Sequence, residues 1–190
     1  MDLSKLSEAV RLFLEGIGER FEGDDLERTP ERVARAWGED LLSGYAVDPA
    51  AELSWTAAPT AAGPVVVRKI RVASVCVHHL LPFFGQAHVA YLPGERLAGL
   101  SKIGRVVDAH ARRLQTQERL TAAIVQTLDR GLKPRGVAAH IEAEHACMTL
   151  RGVRKEGSCL ITLATAGVYD TDPAARAEVL GLLAGSSADR

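Results

Sequence analysis

Two cysteines and a histidine carry the most recognisable chemistry in this chain of 190 residues. Cys76 and His79 stand three positions apart in SVCVHHLLPFFG, and Cys147 follows later in EHACMTLRG. Two thiolates and an imidazole are a protein-ligand set of a catalytic zinc, which keeps its fourth position for water or substrate. His78 and His145 lie beside two of these residues and suit proton transfer. The spacing predicts a hydrolytic metal site; buried structural cysteines with core histidines are the alternative.

The expected strands bring these ligands together. Side chains alternate between the two faces of a strand, so His145 and Cys147 in GVAAHIEAEHAC point the same way. Cys76 stands at the end of another apolar strand, and Pro82 forces the chain to turn soon afterwards. That turn lets His79 swing toward the same point, which favours a shared metal ion.

Composition restricts the class of protein. Lys and Arg number 23 against 24 Asp and Glu, and the net charge of −1 argues against general nucleic-acid binding, which needs a basic surface. No apolar run approaches the length of a membrane span, so no membrane partner is expected. Three cysteines are few and odd in number for a disulfide framework, which favours a reducing cytoplasm. Cys159 lies in an apolar run and is predicted to be a core residue.

The first part of the chain is predicted to be helical. One apolar face with three-and-four spacing marks a first helix: Leu3, Leu6, Val10, Phe13, Leu14 and Ile17. Thr29 and Pro30 fit an N-cap followed by proline at the first helical position, and a second helix runs to about Gly44. A stretch rich in Ala and Pro follows, so we place a helical segment at 1–50 and a catalytic domain at 51–190.

The rest of the chain alternates between pairs of strands and pairs of helices. The strand-like segments are VVVRKIRVASVCV, QAHVAYLP, GVAAHIEAEHACMTL and SCLITLATAGV. Between the two strand pairs, Ser101 is the expected N-cap of one helix, and a second helix spans about Gln117 to Leu132. Pro173 opens a short terminal helix. This order predicts an α+β domain with antiparallel hairpins.

Three histidines outside the cysteine motifs have structural interpretations. His110 lies on the inner stripe of its helix and is predicted to be packed or at an interface. His88 and His140 stand in the middle of strands, away from any partner motif, and are predicted to be structural.

Six segments of the chain resemble one known family, and they lie between Arg28 and about Leu182. They are RTPERVARAW, SVCVHHLLPFFGQAHVAYLP, GLSKIGRVVD, RRLQTQERLT, HACMTLRGVRK and GVYDTDP. Together they resemble the GTP cyclohydrolase I family. The resemblance implies the T-fold, an antiparallel hairpin sheet with helices on one side. It also implies conversion of GTP to 7,8-dihydroneopterin triphosphate with loss of formate, the first step of pterin and tetrahydrofolate biosynthesis.

The resemblance also implies a role for each catalytic motif. Cys76, His79 and Cys147 match the family's zinc ligands. Zinc lowers the pKa of bound water to about 7 and would direct it at C8 of guanine. His78 and His145 match the family's proton-transfer histidines.

Substrate recognition is implied in the same way. Glu118 matches the family's guanine-binding carboxylate, which accepts two parallel hydrogen bonds from guanine and none of that pattern from adenine, with Gln117 as its helper. The residues that match contacts to the triphosphate are Arg32, Ser101, Lys102, Arg105 and Arg151. Ser101 and Lys102 at a helix start would add backbone N–H groups to that site.

Assembly and departures from the family follow from the same resemblance. It implies a homodecamer of two pentamers with active sites shared between subunits. Val77 replaces the glutamate usual between the cysteine and the paired histidines, and SCLITLATAGV is more apolar than the usual segment rich in Ser and Thr. Two alternatives therefore stay open. One is a relative that binds GTP or pterin or stops at a ring-opened intermediate; the other is a metal-free T-fold enzyme with Cys76 as nucleophile.

Overall fold

The computed structural model describes residues 1–19 and 26–185, and every element below lies in these ranges. The helices are α1 (Leu3–Gly16), α2 (Thr29–Arg35), α3 (Leu100–Ala111), α4 (Gln117–Leu132), α5 (Ala146–Thr149), α6 (Val168–Thr171) and α7 (Pro173–Ala184). The strands are β1 (Trp55–Ala57), β2 (Val65–Cys76), β3 (Pro82–Leu92), β4 (Arg96–Ala98), β5 (Leu114–Gln115), β6 (Gly136–His145) and β7 (Leu160–Gly167). Among the described residues, no helix has the length and apolar character needed to cross a membrane.

The central sheet has the strand order β5-β2-β3-β6-β7. Its long strands pair antiparallel, whereas the short β5 lies parallel to the end of β2. β1 and β4 form a separate antiparallel pair. Because side chains alternate along a strand, one face of β3 carries Ala87, Val89 and Tyr91 and the other carries His88 and Ala90.

The helices α3 and α4 cover the first of these faces and form the main core. The inner residues of α4 recur at the spacing of helical turns, and Leu120, Ile124 and Leu128 are fully buried. They belong to one apolar cluster with Val106 of α3 and Val89 of β3. Burial of each such side chain stabilises the fold by about 1.5–3 kcal/mol, so the packing of the two helices on the sheet is stable.

The C-terminal helix α7 packs on the opposite face of the sheet. Its Val179 and Leu183 form a smaller apolar cluster with Ala90 and Ala138. The predicted α+β fold is confirmed, with the antiparallel hairpins of a T-fold and its two long helices on one side. α7 adds a second, partial layer that the sequence interpretation did not assign to either face.

The N-terminal helices differ in detail from the sequence expectation. α1 buries Leu14, but Phe13 and Ile17, expected on its inner face, are exposed. α2 begins at Thr29 with Arg28 in the N-cap position, so Thr29 does not cap the helix. A π-helical stretch (Ala36–Leu41) and a 3-10 turn (Ser43–Ala46) then continue the chain.

Two further boundaries correct the sequence interpretation. The strand expected to run through Cys147 ends at His145, and Cys147 lies in the single turn of α5. The N-cap of α3 is Gly99 rather than Ser101, which lies inside the first turn of that helix. Ser101 therefore presents its side chain from the helix itself and not from a capping position.

Candidate metal centre and active site

The predicted metal ligands meet in one place. One ligand atom from each of Cys76, His79 and Cys147 lies within 4.8 Å of the others. Ligand atoms around a tetrahedral zinc are about 3.6–3.8 Å apart, given bond lengths of about 2.0–2.3 Å, so only a small contraction is needed. The geometry therefore supports a three-residue metal site and argues against isolated structural cysteines.

Local backbone bonds build the loop that carries two of these ligands. β2 ends at Cys76, whose N–H donates to the carbonyl of Leu81 at 2.8 Å. Leu80 adopts a left-handed conformation with φ of 55° and donates its N–H to the carbonyl of Cys76. On the other side, Val77 N–H donates to Gln115 O of β5. The turn expected before Pro82 is thus present, and it holds the exposed His79 next to the buried Cys76.

The thiol of Cys147 is influenced by its neighbours. Burial, the charge of Cys76 and a hydrogen bond with Cys76 raise the pKa of the Cys147 thiol, and the nearby Arg151 guanidinium lowers it in part. His78 Nδ1 lies 3.9 Å from Cys76 Sγ. A divalent cation reverses the effect of burial because it stabilises both thiolates. The two thiolates and the imidazole are thus suited to binding a divalent cation.

His145 lies at the end of β6, directly beside the metal ligands. Its ring stacks on Phe83 with centroids 4.4 Å apart, and its Nε2 lies 2.9 Å from Gln117 Oε1. Burial lowers the pKa of His145, and the carboxylate of Glu118 opposes that shift. A histidine, a carboxylate and the metal ligands therefore converge in a single chain.

Gln117 occupies a different position from the one expected of a guanine contact. Its side chain is only 1% exposed. The amide Nε2 lies 3.0 Å from Ile141 O, 2.9 Å from Leu160 O and 3.1 Å from Thr162 Oγ1. With Oε1 facing His145, both ends of the amide are engaged inside the protein. The predicted helper of Glu118 is a hydrogen-bond neighbour of His145, and its contact with guanine stays a prediction.

Two threonines near Gln117 were missed by the sequence interpretation. Thr121 Oγ1 donates to the backbone carbonyl of Gln117 at 2.8 Å and lies 2.6 Å from Thr162 Oγ1. Thr121 follows Gln117 by one helical turn, and Thr162 stands at an inward position of β7. The alternation of SCLITLATAGV could have identified Thr162 as an inward hydroxyl, but not its partner.

The predicted substrate residues divide between two ends of the domain. Glu118 opens α4 beside His145, and Arg151 follows α5 close to Cys147. Both side chains are exposed, as contacts to a diffusing ligand must be.

Two predicted phosphate contacts, Ser101 and Lys102, lie at the end of α3 away from the predicted metal ligands. The last turn of α3 leads into β5, which pairs with Cys76, so Ser101 and Lys102 are at the opposite end of that helix. Arg105 forms an ion pair with Glu52 at 3.6 Å.

Arg32 lies exposed on α2. In residues 1–19 and 26–185, no hydrogen bond or ion pair joins Arg32, Ser101, Lys102 or Arg105 to the three metal ligands.

An apolar cleft connects the N-terminal helices with the metal loop. It has a volume of about 540 Å³ and is lined by α1 residues such as Leu6 and Val10, by Trp37, and by His79 and Leu80. The helical segment therefore lies next to His79, one of the predicted metal ligands.

The remaining cysteine and histidines have other roles. Cys159 is exposed and its thiol donates to a Glu142 carboxylate oxygen at 3.3 Å, so the prediction of a core residue was wrong. His110 packs between α3 and α4, with its Nε2 2.8 Å from Thr127 Oγ1, as predicted. His88 and His140 face each other across β3 and β6, with ring centroids 5.6 Å apart.

Comparisons with a family model and with known proteins agree on one family. The model of the family described as GTP cyclohydrolase I matches residues 6–184. A protein of Rhodopirellula baltica named GTP cyclohydrolase 1 is 48% identical over 183 residues, covering 96% of this chain and 80% of that protein. A protein of Pelotomaculum thermopropionicum with the same name is 47% identical over 187 residues, covering 98% and 99%.

A solved structure gives a weaker likeness. The apo crystal structure of an archaeosine synthase QueF-Like protein has a TM-score of 0.48 at 17% identity, covering 57% of this chain and 97% of that one.

Proposed function

Because the chain belongs to the GTP cyclohydrolase I family, we propose that it converts GTP and water to 7,8-dihydroneopterin triphosphate and formate. This is the entry reaction of pterin and tetrahydrofolate biosynthesis. The observation that supports it best is the convergence of Cys76, His79 and Cys147 with His145 and Glu118 in one chain. Hydrolysis of a guanine ring needs these three functions together: water activation, proton transfer and base recognition.

Cys76, His79 and Cys147 would hold a zinc ion. Two thiolates and one imidazole are soft donors that zinc favours, and three protein ligands leave a position for water or substrate. When bound, zinc supplies Lewis-acid activation of water at neutral pH. Three free cysteines suit the reducing cytoplasm in which we place the enzyme.

His145 and His78 would move the protons. Opening the imidazole ring requires a proton on a ring nitrogen before a bond to C8 can break, and release of formate breaks the second bond. Two waters are consumed at C8, and one is returned when the opened base closes on the rearranged ribose. His145 is buried, whereas His78 is exposed, so the two differ in their access to solvent.

Glu118 would select guanine. A carboxylate accepts the N1–H and the exocyclic N–H of guanine together, and adenine has no such pair of donors. Arg151, close to Cys147, would contact the triphosphate from the same chain. These positions fit a nucleotide whose C8 faces the metal ligands.

We further propose a homodecamer of two pentamers with shared sites. Lys102 and its neighbours at the start of α3 lie beyond β4, and Arg96 of β4 donates to Gly131 O near the end of α4. Gly131 follows Glu118 by thirteen residues. At 1.5 Å per residue, Gly131 and Glu118 are about 20 Å apart along α4, and Lys102 lies at the Gly131 end. That distance is long for one nucleotide. Lys102 would therefore serve a site in a neighbouring subunit.

The remaining basic residues would follow the same arrangement. Ser101 and Arg105 lie on the same helix as Lys102, and Arg32 lies on α2. In this proposal the segment 1–50 packs and supplies Arg32, and 51–190, whose last five residues lie outside the described ranges, contains the catalytic domain.

The test is turnover of GTP by zinc-replete protein. The product is oxidised and dephosphorylated, neopterin is measured by fluorescence, and formate is measured in parallel. We expect both products in equal amounts. Intact GTP in the presence of bound zinc would indicate a protein that binds GTP or pterin without converting it. Accumulation of a ring-opened formamide would restrict the activity to the first hydrolysis, with Val77 as the first position to change.

A further inference from the structure

The Gln117 side chain has a fixed orientation. Its Nε2 lies within 3.1 Å of three oxygen atoms, two of them backbone carbonyls, Ile141 O and Leu160 O, which can only accept hydrogen bonds. An amide turned the other way would place its oxygen against these carbonyls, with no hydrogen to share. The NH₂ group must therefore face β6 and β7, and Oε1 must face His145.

Two hydroxyls close the network around Gln117. Thr121 Oγ1 has one hydrogen, and it donates to the backbone carbonyl of Gln117. Thr162 Oγ1 must then donate across the 2.6 Å contact to Thr121, since the Thr121 hydrogen is already used. Thr162 is left with a lone pair toward Gln117 Nε2. The two amide hydrogens of Gln117 are thus shared among three oxygen atoms, and Thr162 Oγ1 is the one of the three that also donates onward, to Thr121.

This arrangement leaves His145 a single way to bond with Gln117. Gln117 Oε1 is an acceptor, so His145 Nε2, 2.9 Å away, must carry the hydrogen. Neutral imidazole has one N–H, and His145 Nδ1 is therefore the unprotonated nitrogen. An amide oxygen does not take up a proton at neutral pH, so Nδ1 alone can exchange one.

We propose that Gln117, oriented by Thr162 and Thr121, is a positioning residue that fixes the Nε2–H tautomer of His145 and restricts its proton transfer to Nδ1. The inference rests on the proposed function, in which His145 moves a proton during ring opening. Phe83, stacked on the ring at 8° between planes, restrains the same imidazole from a second side. Gln117 thereby takes part in catalysis through His145 and not through guanine.

Thr162 is the hydroxyl through which β7 joins this network. It faces inward and is bonded to both Thr121 and Gln117. Leu163 next to it points to the other face of the sheet and is partly exposed.

The kinetic test compares Gln117→Met, Thr162→Val and Thr162→Ser in the zinc-loaded enzyme. Met is close to Gln in shape and lacks the amide, so we expect kcat to fall by about 100-fold with KM for GTP within threefold. Val removes only the hydroxyl and should lower kcat by about tenfold, while Ser retains the hydroxyl and most of the activity. A raised KM with unchanged kcat in Gln117→Met would overturn the proposal and restore the guanine contact.

The structural test does not depend on turnover. Solid-state NMR of ¹⁵N-histidine protein, with the His145→Gln variant used to identify the His145 signals, reports which ring nitrogen carries hydrogen. We expect a protonated Nε2 and a free Nδ1 in the wild type, and a mixture of tautomers in Gln117→Met. A hydrogen on Nδ1 with none on Nε2 in the wild type would refute the tautomer assignment. If GTP is not converted at all, the proposed function fails while this measurement still decides the tautomer.

Discussion

At the scale of single residues, chemistry that depends on residue type was predictable and chemistry that depends on neighbours was not. Cys76, His79 and Cys147 were predicted from type and spacing, and their ligand atoms do converge. Gln117 was assigned to guanine, but its burial between β6, β7 and His145 could be known only from packing. Cys159 stands in an apolar run yet is exposed, because that end of β7 leaves one face uncovered.

Alanine substitutions separate metal binding from proton transfer. Cys76→Ala or Cys147→Ala removes one of three ligands, so we expect loss of bound zinc and of formate release. His145→Ala keeps all three ligands, and we expect it to retain zinc and to lose at least about 100-fold in kcat. Metal content by atomic emission and formate assays measure both properties.

Cys159→Ala is the matched control for the thiol substitutions. Its thiol is exposed and bonded to Glu142, away from the ligand cluster, so zinc content and turnover should stay at the wild-type level. Full turnover in Cys76→Ala or Cys147→Ala would contradict the zinc site. Loss of zinc from the control would show that thiol content alone, and not position, governs metal binding.

At the scale of elements, periodicity identified the long helices and strands, and short-range geometry decided their ends. α4 has the predicted bounds because its apolar spacing and its N-cap Thr116 agree. β5 is only two residues long and is held by pairing with β2, which no local pattern reveals. β6 ends at His145 because the chain turns into α5, so the strand alternation expected through Cys147 does not apply there.

Replacing Gly85 or Gly104 with alanine should change the free energy of unfolding in opposite directions. A Cβ on Gly85 would overlap Glu142 O and lie 2.6 Å from Ala143 Cα, in the pairing of β3 with β6. We expect Gly85→Ala to lower the free energy of unfolding by about 1–3 kcal/mol. Gly104 lies within α3 with nothing within 4 Å of an added Cβ, so Gly104→Ala should raise it by about 0.5–1 kcal/mol. Thermal and denaturant unfolding measure the free energy of unfolding of both variants. If the two substitutions changed it in the same direction, the close contact between β3 and β6 at Gly85 would be contradicted.

The interface between α3 and α4 should depend on pH through His110. Burial, with a smaller effect of Arg113, lowers its pKa from 6.5 to about 4. The folded state thus favours the neutral ring, so the stabilisation is complete above pH 6.5 and is lost as the pH falls toward 4. We expect this loss to be about 1–2 kcal/mol after allowance for solvent screening.

His110→Gln isolates that contribution. A glutamine amide reaches about as far as the imidazole Nε2, so it can keep the hydrogen bond to Thr127 but does not titrate. Unfolding free energies of the two proteins, measured between pH 7 and pH 4, should diverge as the pH falls, with the wild type losing more. Parallel curves would mean that His110 keeps an ordinary pKa in the fold.

At the scale of the whole molecule, the fold separates residues that the proposed reaction needs together. The strand order and the direction of α3 place Lys102 at one end of the domain and the cysteine ligands, His145 and Glu118 at the other. The sequence predicted each residue but not this separation, because it depends on which ends of the helices meet which ends of the sheet. In the proposed decamer, one subunit alone would supply only part of a site.

Mixing two inactive variants tests whether sites are shared. Cys147→Ala lacks a metal ligand and Lys102→Ala lacks a proposed phosphate contact, so each alone should be inactive or nearly so. In oligomers that contain both subunits in equal numbers, random placement should restore about a quarter of the sites, because each restored site takes Lys102 from one chain and Cys147 from another. Differently tagged subunits, co-expressed and purified through both tags, ensure that the mixed assembly is the one assayed.

The control pairs Cys147→Ala with His145→Ala, whose positions lie at the same end of one chain, and it should restore nothing. Activity absent from both mixtures would place the whole site within one subunit, and activity in both would show that even neighbouring residues act across the interface.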